Sequence, residues 1–320
     1  MGRIITIARN TFTESIRQPI FFILLMIASL MIALGPSFSF FTLMQGDKLL
    51  KDTGLATMLL TCLLLGVFSA SGVVSREIQN KTAATVLSKP AGKGFFIAGK
   101  FFGIAGTIVA AIYVMSIIYL ITLRYGVKLA AYEDPDHPVI VFLVLAFFFT
   151  ILIGAVSNYF FGKNFNSSAV IASIPAFTFA FIALCFISPG WGLQKFGEKI
   201  QWNLLIGSLL ITFAAFVLTA LAVALSTRLQ LVPALTITFL FFILGLISDF
   251  LFLKTSSSNF FARVIYAVVP NLQYFWVADS LVQNKPIQAG YVFAVLIYLT
   301  AMVTAILAFG AYLFEEKELA

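Results

Sequence analysis

The chain is expected to be an all-α integral membrane protein with about eight transmembrane helices (six to eight), and three observations lead there. Of its 320 residues 61% are hydrophobic and only 10% are charged, far less charge than a soluble chain of this size carries. The mean hydropathy is +1.04. Apolar runs recur along the sequence at roughly 20 residues each, the length a helix needs to cross a hydrocarbon core. A transmembrane β-barrel would instead alternate apolar and polar residues in segments of about ten. Runs such as Val139 to Phe149 are apolar on every side, which excludes the barrel.

Taken in order, residues 2–18 place Ile5, Ala8, Phe12 and Ile16 at helical spacing, with Arg3, Asn10, Glu14 and Arg17 on the other side. That pattern predicts an amphipathic helix lying in the membrane interface. Pro19 turns the chain into a first span, Ile20 to Phe41. The connection MQGDKLLKDTG, Met44 to Gly54, reads as a short loop before a second span, Leu55 to Ser75. A basic, polar island follows, Arg76 to Lys100. The next spans are Phe101 to Leu123 and Val139 to Phe161, joined by an acidic loop, then Ala169 to Ile187, Leu204 to Leu225, Leu231 to Leu253 and Tyr291 to Leu313. Residues 254–290 hold Phe260, Phe261, Val264, Tyr266, Pro270, Trp276 and Asp279. They lack enough consecutive apolar positions to span, and a surface or re-entrant helical hairpin is expected over a plain loop. The whole chain forms one transmembrane domain.

Topology follows from lysine and arginine near the span ends. Arg3, Arg9 and Arg17 in the first helix, and Arg76, Lys81, Lys89, Lys93 and Lys100 in the island, assign both regions to the cytoplasm. The turns at Lys163 and Arg228 and the tail FEEKELA join them, so both termini are expected to be cytoplasmic. Such basic span ends also explain the net charge of +7 without any nucleic-acid partner. The runs ending AVSNYFFGKN and ALSTRLQL share a pattern of small residue, serine and basic residue between two apolar helices. A duplicated helical hairpin and chance likeness between two tight turns both explain it.

Chemistry-bearing residues are few. Cys62 and Cys185 fall inside apolar runs and read as small buried hydrophobes rather than a disulfide or metal pair. The one histidine, His137, lies beside Glu133, Asp134 and Asp136; a solvated turn between spans is the preferred reading over a metal site. The first apolar run is too long for a signal h-region and lacks a small-residue cleavage site. Gly66, Ser69, Ala70, Gly72, Gly99, Gly103 and Gly106 let helices approach closely, either within the chain or at a dimer interface. Of the expected spans only the seventh carries an acidic or basic side chain, Asp249 near its outer end, which gives ion coupling little support. Pro36, Pro175 and Pro233 are candidate helix breaks or ordinary kinks. The sequence contains no phosphate loop, no H-E-x-x-H and no G-x-S-x-G. An enzyme is therefore not expected, and energy for work would come from elsewhere.

Within the island, Ala83, Ala84, Val86 and Leu87 form an apolar strip, and Pro90 with Gly92 stops any helix. Such a segment suits the membrane surface or a groove on a cytoplasmic partner, with Glu77 and Lys81 available for polar contacts. The amphipathic helix, two spans, and then Arg76-Glu77, Thr82, Val86-Leu87-Ser88, Pro90, Phe95-Phe96-Ile97 and Gly99-Lys100 together resemble the permease subunits of type-two ABC exporters. The closing Phe314-Glu315-Glu316-Lys317-Glu318-Leu319 is similar to their short charged ending. The resemblance covers most of the chain, but Lys81 precedes Thr82 where glycine is frequent, and about eight spans stand where six are usual.

That resemblance implies that residues 76–98 are a cytoplasmic coupling helix resting on a separate ABC ATPase subunit. The coupling contacts would be Arg76, Glu77, Lys81, Thr82, Ala83, Val86, Leu87, Ser88 and Pro90. It further implies a second permease copy or related permease, a bacterial inner membrane, and re-entrant helices before the last span. Catalytic, cofactor and metal residues would be absent from this chain, with ATP and Mg bound by the partner. Membrane lipid is the remaining expected partner.

Overall fold

A computed structural model describes residues 2–39, 46–75, 93–126, 136–198, 200–252, 260–283 and 285–319. The first helix, α1 (Gly2–Arg17), and α2 (Pro19–Ala33) meet at a 67° bend, where Pro19 sets the start of the second helix. A short α3 (Gly35–Ser39) follows. Next come α4 (Gly46–Ala70), which ends in a π-helical turn at Ser71–Ser75, and α5 (Lys93–Tyr125). Two hairpins follow: α6 (His137–Phe161) with α7 (Phe165–Phe186), and α8 (Leu204–Ser226) with α9 (Leu231–Phe252). The chain closes with α10 (Phe260–Val268), a 3₁₀ turn at Gln273–Phe275, α11 (Ala278–Val282) and α12 (Ala289–Leu319). Among the described residues the regular elements are helical, apart from an isolated bridge between Ile187 and Leu193.

Seven of these helices are long and apolar enough to cross a membrane, and the bent pair of α1 and α2 makes an eighth candidate. The protein is an all-α integral membrane protein. Its centre is α4, α5 and α8, whose most apolar stretches are 72%, 78% and 67% buried, while α9 and α12, at 22% and 11%, leave most of their apolar surface outside. In a soluble protein such faces would be a liability; in hydrocarbon they are the ordinary outer surface.

The expected spans recur with three revisions. Helix α4 begins at Gly46, so most of the expected Met44–Gly54 loop is helical and carries Lys48, Lys51 and Asp52 into the bundle wall. The first span is shorter than Ile20 to Phe41, because α2 stops at Ala33 and Pro36 falls in the first turn of α3, where its missing N–H is harmless. Pro233 likewise sits in the first turn of α9, whereas Pro175 lies inside α7. Helix α5 extends the third span toward the island: at 33 residues it is about 50 Å long, well beyond the bilayer core.

The helix ends collect on two faces. Arg17, the Gly162–Asn164 turn and the Thr227–Gln230 turn share one: Asn166 Nδ2 donates to Arg17 O at 3.4 Å, and Arg228 Nε donates to Leu313 O at 2.6 Å. Gly162 takes φ 61° to end α6, the left-handed conformation that favours glycine at a helix C-terminus. The opposite face carries the ends of α5 and α7, the starts of α4, α6, α8 and α12, and an aromatic cluster in which Trp202 meets Phe196 at 6.2 Å and Phe181 at 6.0 Å. Such rings are typical of a membrane–water boundary.

Candidate functional site

The nine expected coupling residues, Arg76 to Pro90, lie outside the described residues; the structure describes what holds the two ends of that segment. On its N-terminal side is the π-helical turn Ser71–Ser75, a helix form often found at functional positions. A Cβ on Gly72 would come 2.5 Å from Gln18 Nε2, so the turn sits directly on the hinge between α1 and α2. Gln18, Ser71, Gly72, Ser75, Gln230 and Leu231 help line a cavity of about 340 Å³. The hinge, the entry to the island and the start of α9 thus border one space.

On the C-terminal side, α5 is clamped to α1. A Cβ on Gly103 would approach Thr11 Cβ to 2.5 Å and Ala8 O to 2.6 Å, and Gly99 and Gly106 face Ile7 and Phe12. Because the Ala8 obstacle is backbone, it cannot swing away as a side chain would. Phe96 and Ile97 are buried, with Phe96 stacked on Phe314 at 5.8 Å, while Phe95 points outward. Lys100 is also buried, its ammonium 5.5 Å from the Phe96 ring, a cation–π contact. Gly66 packs against Thr219 of α8, and Ser69 and Ala70 are buried. The small residues are therefore occupied within the chain, which answers the dimer-interface alternative for those positions.

Polar clusters on the opposite face were mostly hidden from sequence reading. Arg124 Nε meets Asp136 Oδ2 at 3.1 Å with both side chains nearly sealed from solvent. The same guanidinium donates to Leu184 O and, at 2.6 Å, to Ile187 O, so one side chain ties the ends of α5 and α7 to the start of α6. Asp136 Oδ1 also accepts from Val139 N at 3.4 Å, capping α6. The expected solvated turn thus holds a buried ion pair at Asp136, while Glu133 and Asp134 lie outside the described residues. Among the described residues no group of three His, Cys, Asp or Glu is placed to hold a metal. Cys62 and Cys185 are free and buried.

A second cluster joins α4 to α11. Lys51 is buried and its ammonium donates to Leu281 O at 3.2 Å, while Lys48 pairs with Asp279 at 3.0 Å. Tyr119 OH donates to Lys51 O at 2.9 Å. Lys48, Lys51 and Asp52 recur at i, i+3 and i+4, a helical signature that could have shown the second span's helix to start before Leu55.

The third cluster surrounds Asp249. Its Oδ1 accepts from Tyr266 OH at 2.8 Å and from Asn271 Nδ2 at 2.5 Å. Asn271 N donates to Tyr298 OH at 2.8 Å, Gln273 Nε2 to Leu246 O at 2.6 Å, and Leu272 N to Gly245 O at 3.0 Å. Tyr298 lies well inside α12, and Gly245 a similar way inside α9, so the chain between α10 and α11 dips back between two spans, in the manner of a re-entrant segment. The Tyr266 phenol is pushed above its usual range by its hydrogen bond to Tyr274, by burial and by its bond to Asp249, and it stays protonated.

No family model and no curated protein matches the chain.

Proposed function

We propose that this chain is the membrane permease of an ABC exporter, with residues 76–98 as the contact for a separate ATP-hydrolysing subunit. The observation that carries the proposal is mechanical. Both ends of the segment emerge from elements locked to α1, through Gly72 on the Gln18 hinge and through Gly103 on Ala8 and Thr11. A load applied to the segment would pass into α1, α4 and α5 together, and α4 and α5 belong to the packed centre of the bundle. Close-packed interiors transmit displacement rather than absorb it.

In this reading the face bearing Arg17, Lys163 and Arg228 is cytoplasmic, as are both termini, in a bacterial inner membrane. ATP and Mg belong to the partner subunit, and this chain does no chemistry of its own. A second permease copy, or a related one, completes the pathway, with lipid over the remaining apolar surface. In the reconstituted complex, Glu77→Ala and Leu87→Ala are expected to leave ATP hydrolysis running while transport falls. Transport that stays proportional to hydrolysis in both variants would remove these residues from the coupling contact.

One observation favours a second reading, an ATP-independent carrier. Lys51, Asp52 and Asp249 all lie on helices that pass the length and hydropathy test for spanning, and ionisable groups there mark ion pathways in many carriers. Gradient-driven transport by the purified chain alone in liposomes would decide for the carrier.

A further inference from the structure

An open recess of about 830 Å³ lies where α1 ends and the α6–α7 hairpin turns. Its rim holds Arg17, Lys163, Ser157 and Ser168, and its deeper wall is Ile153, Ile171 and Pro175. The rim is basic: among the described residues neither Arg17 nor Lys163 shows an ion pair with a carboxylate, and the Lys48–Asp279 and Arg124–Asp136 pairs lie on the other face. The lysine ammonium lies 5.8 Å from the Phe161 ring. Among the described residues no acidic side chain lines the recess; Glu14, the nearest acid along α1, lines the neighbouring groove that Arg17 shares with Arg9. The helix terminus is not the source of attraction, since Asn164 Oδ1 already accepts from Ser167 N at 3.0 Å and the Ser167 hydroxyl donates to Asn164 O.

The wall differs from the rim in just the way a membrane lipid differs along its length. Ile153 and Ile171 are 43% and 55% exposed on helices that pass the spanning test, so the recess opens sideways to hydrocarbon. Lys163 follows the end of the spanning helix α6 and Arg17 sits at the bend between α1 and α2, the level where polar headgroups lie. We propose that this recess binds an anionic membrane lipid, its phosphate between Arg17 and Lys163 and its acyl chain along Ile153 and Ile171. A soluble phosphate compound would use the rim but gain nothing from the wall. Because α1 also clamps α5 through Gly103, an occupied recess would brace the α1–α2 hinge against the α6–α7 hairpin. The site does not depend on whether an ATPase drives the chain.

The test uses the full chain in phosphatidylcholine vesicles containing a minority of phosphatidylglycerol with a photoreactive acyl chain. Illumination should label the Ile153–Pro175 stretch, and the same probe on phosphatidylcholine should label it far less. Surface cations each favour anionic lipid by about fivefold, so Arg17→Gln with Lys163→Gln should cut that labelling by about 25-fold, while Arg9→Gln leaves it unchanged. If the double variant fails to fold, the wild-type chain still decides: raising the salt should weaken labelling by screening the rim, and added glycerol phosphate should not compete. Equal labelling by the two lipids, labelling indifferent to both substitutions, indifference to salt, or displacement by glycerol phosphate would each overturn the lipid site.

Discussion

Arg124 and Asp136 show how much one pair can hold. Both side chains are nearly sealed from water, and the guanidinium satisfies two carbonyls at the end of α7 as well. Removing one partner of such a pair strands the other as a buried charge, which costs about 3–5 kcal/mol. Asp136→Ala is therefore expected to lower the thermal midpoint of the detergent-solubilised protein sharply. Arg124→Met combined with Asp136→Leu should recover part of that loss, short of full recovery because the α7 carbonyls lose their donor. A single Asp136→Ala variant as stable as wild type would show that the pair does not hold these helices. Sequence alone could not assign this role. Asp136 is one of four clustered polar residues in YEDPDHP, and its partner is chosen by how α5 and α6 approach, which no local pattern encodes. Asp249 was legible as an ionisable residue in a span, but its partners Tyr266 and Asn271 come from a segment that turns back toward it.

Hydropathy located the spanning helices because lipid demands a long apolar stretch from each of them. It failed at their ends, where tertiary contacts take over. Residues 46–54 look like a loop because they carry charge, yet Lys51 finds Leu281 O and Lys48 finds Asp279, so the helix continues. The amphipathic α1 was legible; its close packing on α5 was visible only as glycines whose partner the sequence left open. Gly103→Leu should force α1 off α5, since its Cβ would meet the Ala8 carbonyl. Overpacking of this kind costs about 1–3 kcal/mol. The expected readout is faster proteolysis within residues 2–17 with the rest of the bundle protected, and unchanged cleavage would mean that the two helices are not clamped there. For the segment between α10 and α11, Asn271→Ala removes the side-chain bonds to Asp249, to Tyr266 OH and from the Gln273 amide, and leaves the Asn271 amide bond to Tyr298 in place. Amide hydrogen exchange should then rise between residues 269 and 283 but not in α8. Exchange that stays at the wild-type level would mean that the Asn271 side chain does not secure the dip.

At the scale of the molecule, a buried centre of α4, α5 and α8 is wrapped by helices with apolar outer faces, and the elements flanking residues 76–92 are fixed to α1. In the proposed function the polar island is where force enters the bundle, from an ATPase resting on it. The bundle was legible as a class from composition, and the island from its contrast with its surroundings; the proposed load path between them rests on contacts such as Gly72 with Gln18 that only the folded chain displays. The most direct test places a photo-crosslinking residue at Leu87 in the full-length chain, illuminates intact cells and identifies what is joined to it after native purification. The expected product is a protein carrying a phosphate loop, joined at Leu87 and absent when the crosslinker is moved to the outward-facing Phe250. Repeated recovery of the chain with no such ATPase attached would contradict the coupling role.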